Sequence, residues 1–100
     1  GLTKSLAMEL GPDNIRVNGI APGAVVGDRM ERIIAAQAEL DDKSADEVRR
    51  DYVIGVSMHS FIEHQEVADV VAFLVSDRGR HISGQIIGVD GHTETLWPRR

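Results

Sequence analysis

Leu2, Leu6 and Leu10 recur at i, i+4 and i+8, and Ala7 widens the stripe, so residues 1–10 read as a helix with one apolar face. No Ser, Thr, Asp or Asn precedes Leu2 to cap it; either Thr3 caps a shorter helix or the helical start lies upstream. Gly11 and Pro12 close it, Gly by offering a left-handed cap and Pro by refusing to continue the spiral. Residues 15–21 are rich in β-branched side chains and predict a strand. Their lack of clean alternation suits a strand covered on both faces of a parallel sheet, with Asn18 a buried polar group that must find structural partners. Residues 22–27 form a loop with one proline and two glycines. Asp28 opens a helix, with Glu31 completing a capping box and Met30, Ile33, Ile34 and Ala38 forming its apolar face. Asp41-Asp42-Lys43 breaks that helix, and Ser44-x-x-Glu47 starts a short one with Val48 and Tyr52 inward. Residues 54–60 are irregular. Residues 63–75 carry the clearest helical stripe, Val67, Val70, Val71 and Leu74, joined by Phe73, and residues 76–79 terminate it. Residues 85–89 are a second strand, stopped by Asp90-Gly91. The tail, 92–100, has no periodicity, and Trp97 is expected to pack back onto the body.

The order helix, strand, helices, strand is an α/β pattern. Two parallel strands joined by a helical crossover make a βαβ unit with a right-handed connection. A sheet of two strands is marginal by itself, so the unit is expected to complete a larger one. The 100 residues suffice for one domain and not for two. With 11 Lys and Arg against 16 Asp and Glu, the net charge is −5 and no basic run interrupts it. That argues against nucleic acid or an anionic membrane as the main partner. Apolar runs are too short for a membrane-spanning helix, and no signal-peptide pattern opens the chain. The absence of cysteine excludes disulfides, thiolate catalysis and Cys-ligated zinc, and suits a reducing compartment such as the cytoplasm.

In open parallel sheets ligands bind beyond the carboxyl ends of the strands, where residues 22–27 fall. Glycines there let a ligand approach the backbone closely, and exposed N–H and C=O groups can bind an amide or a phosphate. The plainer alternative is a strand-to-helix connection using Gly for turn geometry. Other chemistry is poorly supported. Gly19, Gly23 and Gly27 are spaced four apart and do not form G-x-G-x-x-G, and no P-loop occurs. His59, His64, His81 and His92 lack metal-ligand spacing. Ser57 or Ser60 with His59 or His64 has no G-x-S-x-G elbow to support a hydrolase. The acidic pairs at 41–42 and 46–47 read as solvated helix-end charges.

Several segments together resemble one family. Gly1-Leu2-Thr3-Lys4-Ser5-Leu6-Ala7-Met8-Glu9-Leu10, Ile15-Arg16-Val17-Asn18 and Ala21-Pro22-Gly23-Ala24-Val25, in that order, are similar to the C-terminal half of a short-chain dehydrogenase/reductase. Residues 66–77, Ile82-Ser83-Gly84-Gln85 and Val89-Asp90-Gly91 resemble that family's last helix and last strand. The resemblance implies the C-terminal part of a Rossmann-type doubly wound parallel sheet, with residues 1–100 a single partial domain. It also implies hydride transfer between NAD or NADP and a small-molecule alcohol or carbonyl substrate. The family's glycine-rich turn, catalytic Asn and Ser, and Tyr-x-x-x-Lys pair would all precede Gly1, so no catalytic residue is expected here and the chain alone is expected to be inactive. Tyr52, the only tyrosine, is followed at three and four residues by Gly55 and Val56 and is not the catalytic one.

By the same resemblance Pro22, Gly23, Val25 and Gly27 are the cofactor-binding positions, with the Val25 backbone bonded to the nicotinamide carboxamide. Gly27 stands where the family often has Thr, so that hydroxyl contact is lost or passes to Asp28. His64 and His92 replace residues that are commonly Pro and Gly, and neither is expected to touch chemistry. Residues 28–60 correspond to a substrate-covering lid. Met30, Ile33 and Ile34 face either substrate or, as their spacing favours, the core. The last helix and strand are expected to form a homodimer or homotetramer interface. The alternative from another class is a non-enzymatic α/β interaction module.

Overall fold

The computed structural model describes residues 1–93, so the expectation for Trp97 lies outside the described residues. Helix α1 spans Leu2–Leu10 with Thr3 inside it rather than at its cap. Gly11 does not take the left-handed cap: its φ of −55° continues the spiral into a 3-10 turn, Gly11–Asp13. Pro12 fits there because the first turn of a helix needs no N–H from it. The left-handed residue is Asn14, at φ 62°, a residue type that tolerates that region.

Strand β1, Gly19–Pro22, is shorter than the expected 15–21. It pairs in parallel with β2, Ile86–Val89, in the register Gly19↔Ile86 to Pro22↔Val89. The preceding residues are joined to the β2 side by loop bonds rather than ladder bonds. Val17 N–H donates to Ser83 Oγ at 3.1 Å, and Gly84 N–H to the Val17 carbonyl at 2.8 Å. Asn18 is half-buried rather than buried as expected, and it does find partners: Nδ2 donates to the Ile82 carbonyl at 2.8 Å and Oδ1 accepts the Gln85 N–H at 3.1 Å. Asn18→Ala leaves both groups without these partners. We expect it to cost about 1–2 kcal/mol in denaturant unfolding of the intact protein.

Between the strands run α2 (Asp28–Asp41), α3 (Ala45–Val53) and α4 (His64–Val75). The capping box expected at Asp28 does not form. Gly27 is the cap residue of α2, and Glu31 turns instead to Arg49 of α3, at 2.6 Å. Glu31, and to a lesser degree Asp46 at 3.0 Å, hold the Arg49 guanidinium above its ordinary pKa. The groups are exposed, so the Glu31–Arg49 pair orients α3 on α2 more than it stabilises it. Ser44 does cap α3, its Oγ accepting the Glu47 N–H at 3.2 Å. At the start of α4 the Glu66 carboxylate accepts the Glu63 N–H at 3.0 Å.

Among the described residues, the buried apolar ones are Ile34, Val48, Val53, Val56, Ile62 and Leu74. Five of the six lie in residues 34–62, so the core sits mainly under α2 and α3 rather than between α4 and the sheet. Tyr52 is not inward as expected: it is 41% exposed and stacks on Phe61 with ring centroids 6.3 Å apart, while Val53 takes the buried place. Along α4 only Leu74 is buried; Val71, Phe73 and Val75 stay exposed, as does Ile86 of β2.

Candidate functional site

Because β1 and β2 are parallel, their carboxyl ends, Pro22 and Val89, lie side by side. Gly23 extends the ladder one residue further, its N–H donating to the Val89 carbonyl at 3.0 Å. The approach is close: a Cβ on Gly23 would lie 2.9 Å from both Cα and Cβ of Asp90. Only glycine keeps the two chain ends at this separation.

Two residues on, Val25 forms a single parallel bridge with Ile62. Ile62 N–H donates to the Ala24 carbonyl at 2.8 Å, and Val26 N–H donates to the Ile62 carbonyl at 2.9 Å. In a parallel bridge those bonds come from the residues flanking Val25, so its own N–H and C=O point to the opposite side. Neither group takes a partner among the described residues. A donor and an acceptor on one residue, side by side and unpaired, match the complementary pair of an amide.

Gly27 ends the loop at φ 153° and ψ 178°, a backbone region essentially reserved for glycine. Across from it stands His64, the first residue of α4, with Nε2 3.1 Å from where a Cβ on Gly27 would be. Pro22, Gly23, Val25 and Gly27 all line one cleft of about 480 Å³, together with Val26, Asp28, Arg29, Met30, Ile33 and His64. On α2, Ile34 turns into the core, whereas Met30 and Ile33, one helical turn apart, give the cleft an apolar wall. Nothing in the local sequence around residue 64 signals its place here. It depends on the tertiary bridge between Val25 and Ile62.

The other candidate side chains are not assembled into sites. Ser57 Oγ shares a hydrogen bond with Nδ1 of His92, rather than with His59 or His64. Asp90 Oδ1 accepts from the His92 backbone N–H, at 2.9 Å. Among the described residues no group of three His, Asp or Glu side chains is placed to hold a metal ion. Tyr52 is on α3, outside the residues lining the cleft.

A family profile described as Enoyl-(Acyl carrier protein) reductase matches residues 1–92. The chain is 36% identical over 91 residues to 3-oxoacyl-(acyl-carrier-protein) reductase FabG of Staphylococcus aureus, which covers 91% of this chain and 32% of the relative. It therefore spans about a third of the length of the curated relatives it matches. Among solved structures, a short chain dehydrogenase family protein from Francisella tularensis superposes with a TM-score of 0.83 at 34% identity, over 90% of this chain and 37% of that one. The L-sorbose reductase from Gluconobacter frateurii, solved with NADPH and L-sorbose, gives 0.84 at 25% identity, over 96% and 37%. These neighbours carry the parallel β1–β2 pair inside a Rossmann-type sheet. With the match extending from the first residue to the end of the second strand and its turn, the chain belongs to the short-chain dehydrogenase/reductase family.

Proposed function

We propose that residues 1–100 are the C-terminal segment of an NAD(P)-dependent oxidoreductase subunit, and that the cleft at the end of β1 receives the nicotinamide ring of NAD or NADP. The observation that carries this is the N–H and C=O of Val25, which take no partner among the described residues and lie on the cleft-lining loop just past the carboxyl ends of a parallel strand pair. A nicotinamide carboxamide offers the matching acceptor and donor, and two hydrogen bonds to one residue fix which ring face looks outward. Met30 and Ile33 supply apolar surface for the ring. When bound, the dinucleotide supplies hydride exchange with an alcohol or carbonyl carbon. The residues of this chain bind and orient it.

The substrate is a small-molecule alcohol or carbonyl compound, in keeping with the L-sorbose held by one structural neighbour. Helices α2 and α3 act as its lid. The exposed face of α4 with Ile86 of β2 serves a homodimer or homotetramer contact, since such apolar surface is ordinarily covered. The two-stranded sheet and an α1 with no buried residue suit a segment that completes a larger domain. No helix among the described residues is long and apolar enough to cross a membrane. A cysteine-free chain suits the reducing cytoplasm, where we place the enzyme.

The test compares the full-length subunit with residues 1–100 expressed alone. We expect the former to bind NADH or NADPH, read as a change in nicotinamide fluorescence, and to oxidise it in the presence of a carbonyl substrate. The 100-residue chain is expected to show no turnover, because its only tyrosine lies off the cleft. A full-length subunit that binds neither dinucleotide, or nicotinamide-dependent turnover by the isolated segment, would refute the reading.

A further inference from the structure

Gly27 ends the cleft-lining loop without a side chain, and its backbone forbids one: φ 153° with ψ 178° is a conformation other residues do not hold at low energy. The volume that side chain would occupy is taken by His64, whose Nε2 lies 3.1 Å from the position of the absent Cβ. His64 thus reaches the loop from a different element, the first turn of α4. The backbone leading into it is fixed at two points. Two residues before it, Ile62 is bonded to Ala24 and Val26, and one residue before it, the Glu63 N–H is held by Glu66. The bridge that turns the Val25 N–H and C=O away from Ile62 therefore also anchors the chain that leads to His64, in the same cleft.

The ring has no hydrogen-bond partner among the described residues, although an imidazole carries a donor in either tautomer. Two other polar side chains line the cleft, Asp28 and Arg29, both exposed on the first turn of α2. The Asp28 carboxylate only accepts, and would repel a phosphate. Arg29 stands on a long stem and takes no partner among the described residues.

We propose that His64 is a positioning residue for the dinucleotide, its ring N–H donating to an oxygen of the nicotinamide mononucleotide half and so supplying from α4 the side-chain contact that Gly27 cannot. This rests on the reading of the cleft as a nicotinamide site. It adds to that reading a contact made from beyond the loop, and it assigns a function to a residue with no motif around it.

The experiment titrates the full-length subunit with NADH, NADPH, reduced nicotinamide mononucleotide and AMP, as wild type, His64→Leu and His64→Gln. Losing one hydrogen bond raises Kd about fivefold to tenfold. We expect that increase for His64→Leu with the dinucleotide it uses and with reduced nicotinamide mononucleotide. AMP binding and the thermal midpoint should not change. KM for the dinucleotide should rise in parallel while kcat stays within about twofold, because the contact holds ground and transition states alike. His64→Gln keeps a donor and recovers most of the affinity. Equal dinucleotide affinity for wild type and His64→Leu overturns the proposal, as does an equal loss for AMP or a Gln variant as weak as Leu. A wild type that binds no dinucleotide overturns the nicotinamide reading itself, and the two failures are thereby told apart.

Discussion

Ile34→Ala in the full-length subunit is expected to lower unfolding stability by about 2–5 kcal/mol, the cost of deleting a buried isoleucine down to Cβ and leaving the space unfilled. Ile34 is 1% exposed, the most completely buried side chain described, and it stands on α2 where that helix packs on α3. Its counterpart in burial on α3 is Val48, at 2%. No other apolar residue of α2 is fully buried, so nothing nearby compensates for its loss. The Arg49 link to Glu31 is exposed and cannot replace packing. Ile34→Val, which removes one methylene, is expected to cost only about 0.5–1.5 kcal/mol. Guanidinium unfolding followed by circular dichroism reads both. Because Met30 and Ile33 line the cleft one residue and one turn away, the Ala variant should also raise KM for the dinucleotide. An unfolding midpoint unchanged by Ile34→Ala would show that α2 does not rest on this side chain.

The same residue illustrates what can be read from apolar spacing and what cannot. The period of 3.6 identifies α2 and marks Met30, Ile33, Ile34 and Ala38 as its inner face, but that face is about 100° wide or more and meets two environments. Ile34 goes to the core while Met30 and Ile33 go to the cleft, a division set by where α3 and the loop 22–27 approach. Caps behave likewise. Ser44 caps α3 as its local signature predicts, since the partner is three residues away. Asp28 and Glu31 carry a similar signature and do not use it, because Arg49, eighteen residues along, takes the Glu31 carboxylate. The parallel strand pair was legible from two short β-branched runs separated by helices. Its true start at Gly19 was not, because Val17 bonds to Ser83 Oγ and the Gly84 N–H, and the Asn18 side chain takes the Gln85 N–H, in place of a ladder. Pro22, Gly23, Val25 and Gly27 are adjacent in the chain, so their gathering in one cleft needs only a loop. His64 joins them through the Val25–Ile62 bridge, a long-range pairing that no local pattern announces.

Gly23→Val is expected to lower kcat/KM of the full-length subunit for its dinucleotide by about a hundredfold or more, roughly the penalty for misplacing a reactant by an ångström. The reason lies in what a side chain on Gly23 would strike. Its Cβ would sit 2.9 Å from Cα and Cβ of Asp90 and 3.4 Å from the Asp90 carbonyl oxygen, so the neighbour is backbone and cannot swing aside. The strands must part at their carboxyl ends, which stretches the 3.0 Å bond from Gly23 N–H to the Val89 carbonyl. Overpacking of this kind costs about 1–3 kcal/mol in stability. Function should suffer more than stability, because Val25 is two residues away and its N–H and C=O are aimed by the same stretch of backbone. Gly88→Ala in β2 is the control: a Cβ there meets only the Asp90 carboxylate, at 3.5 Å or beyond, an ordinary contact. It is expected to stay near wild type in both stability and kcat/KM. Steady-state kinetics with dinucleotide as the varied substrate, run beside thermal unfolding, separates the two effects. Wild-type kcat/KM in a folded Gly23→Val subunit would mean that the contact between Gly23 and Asp90 does not set the geometry at the end of β1, and with it would go the argument that Val25 is held there to meet an amide.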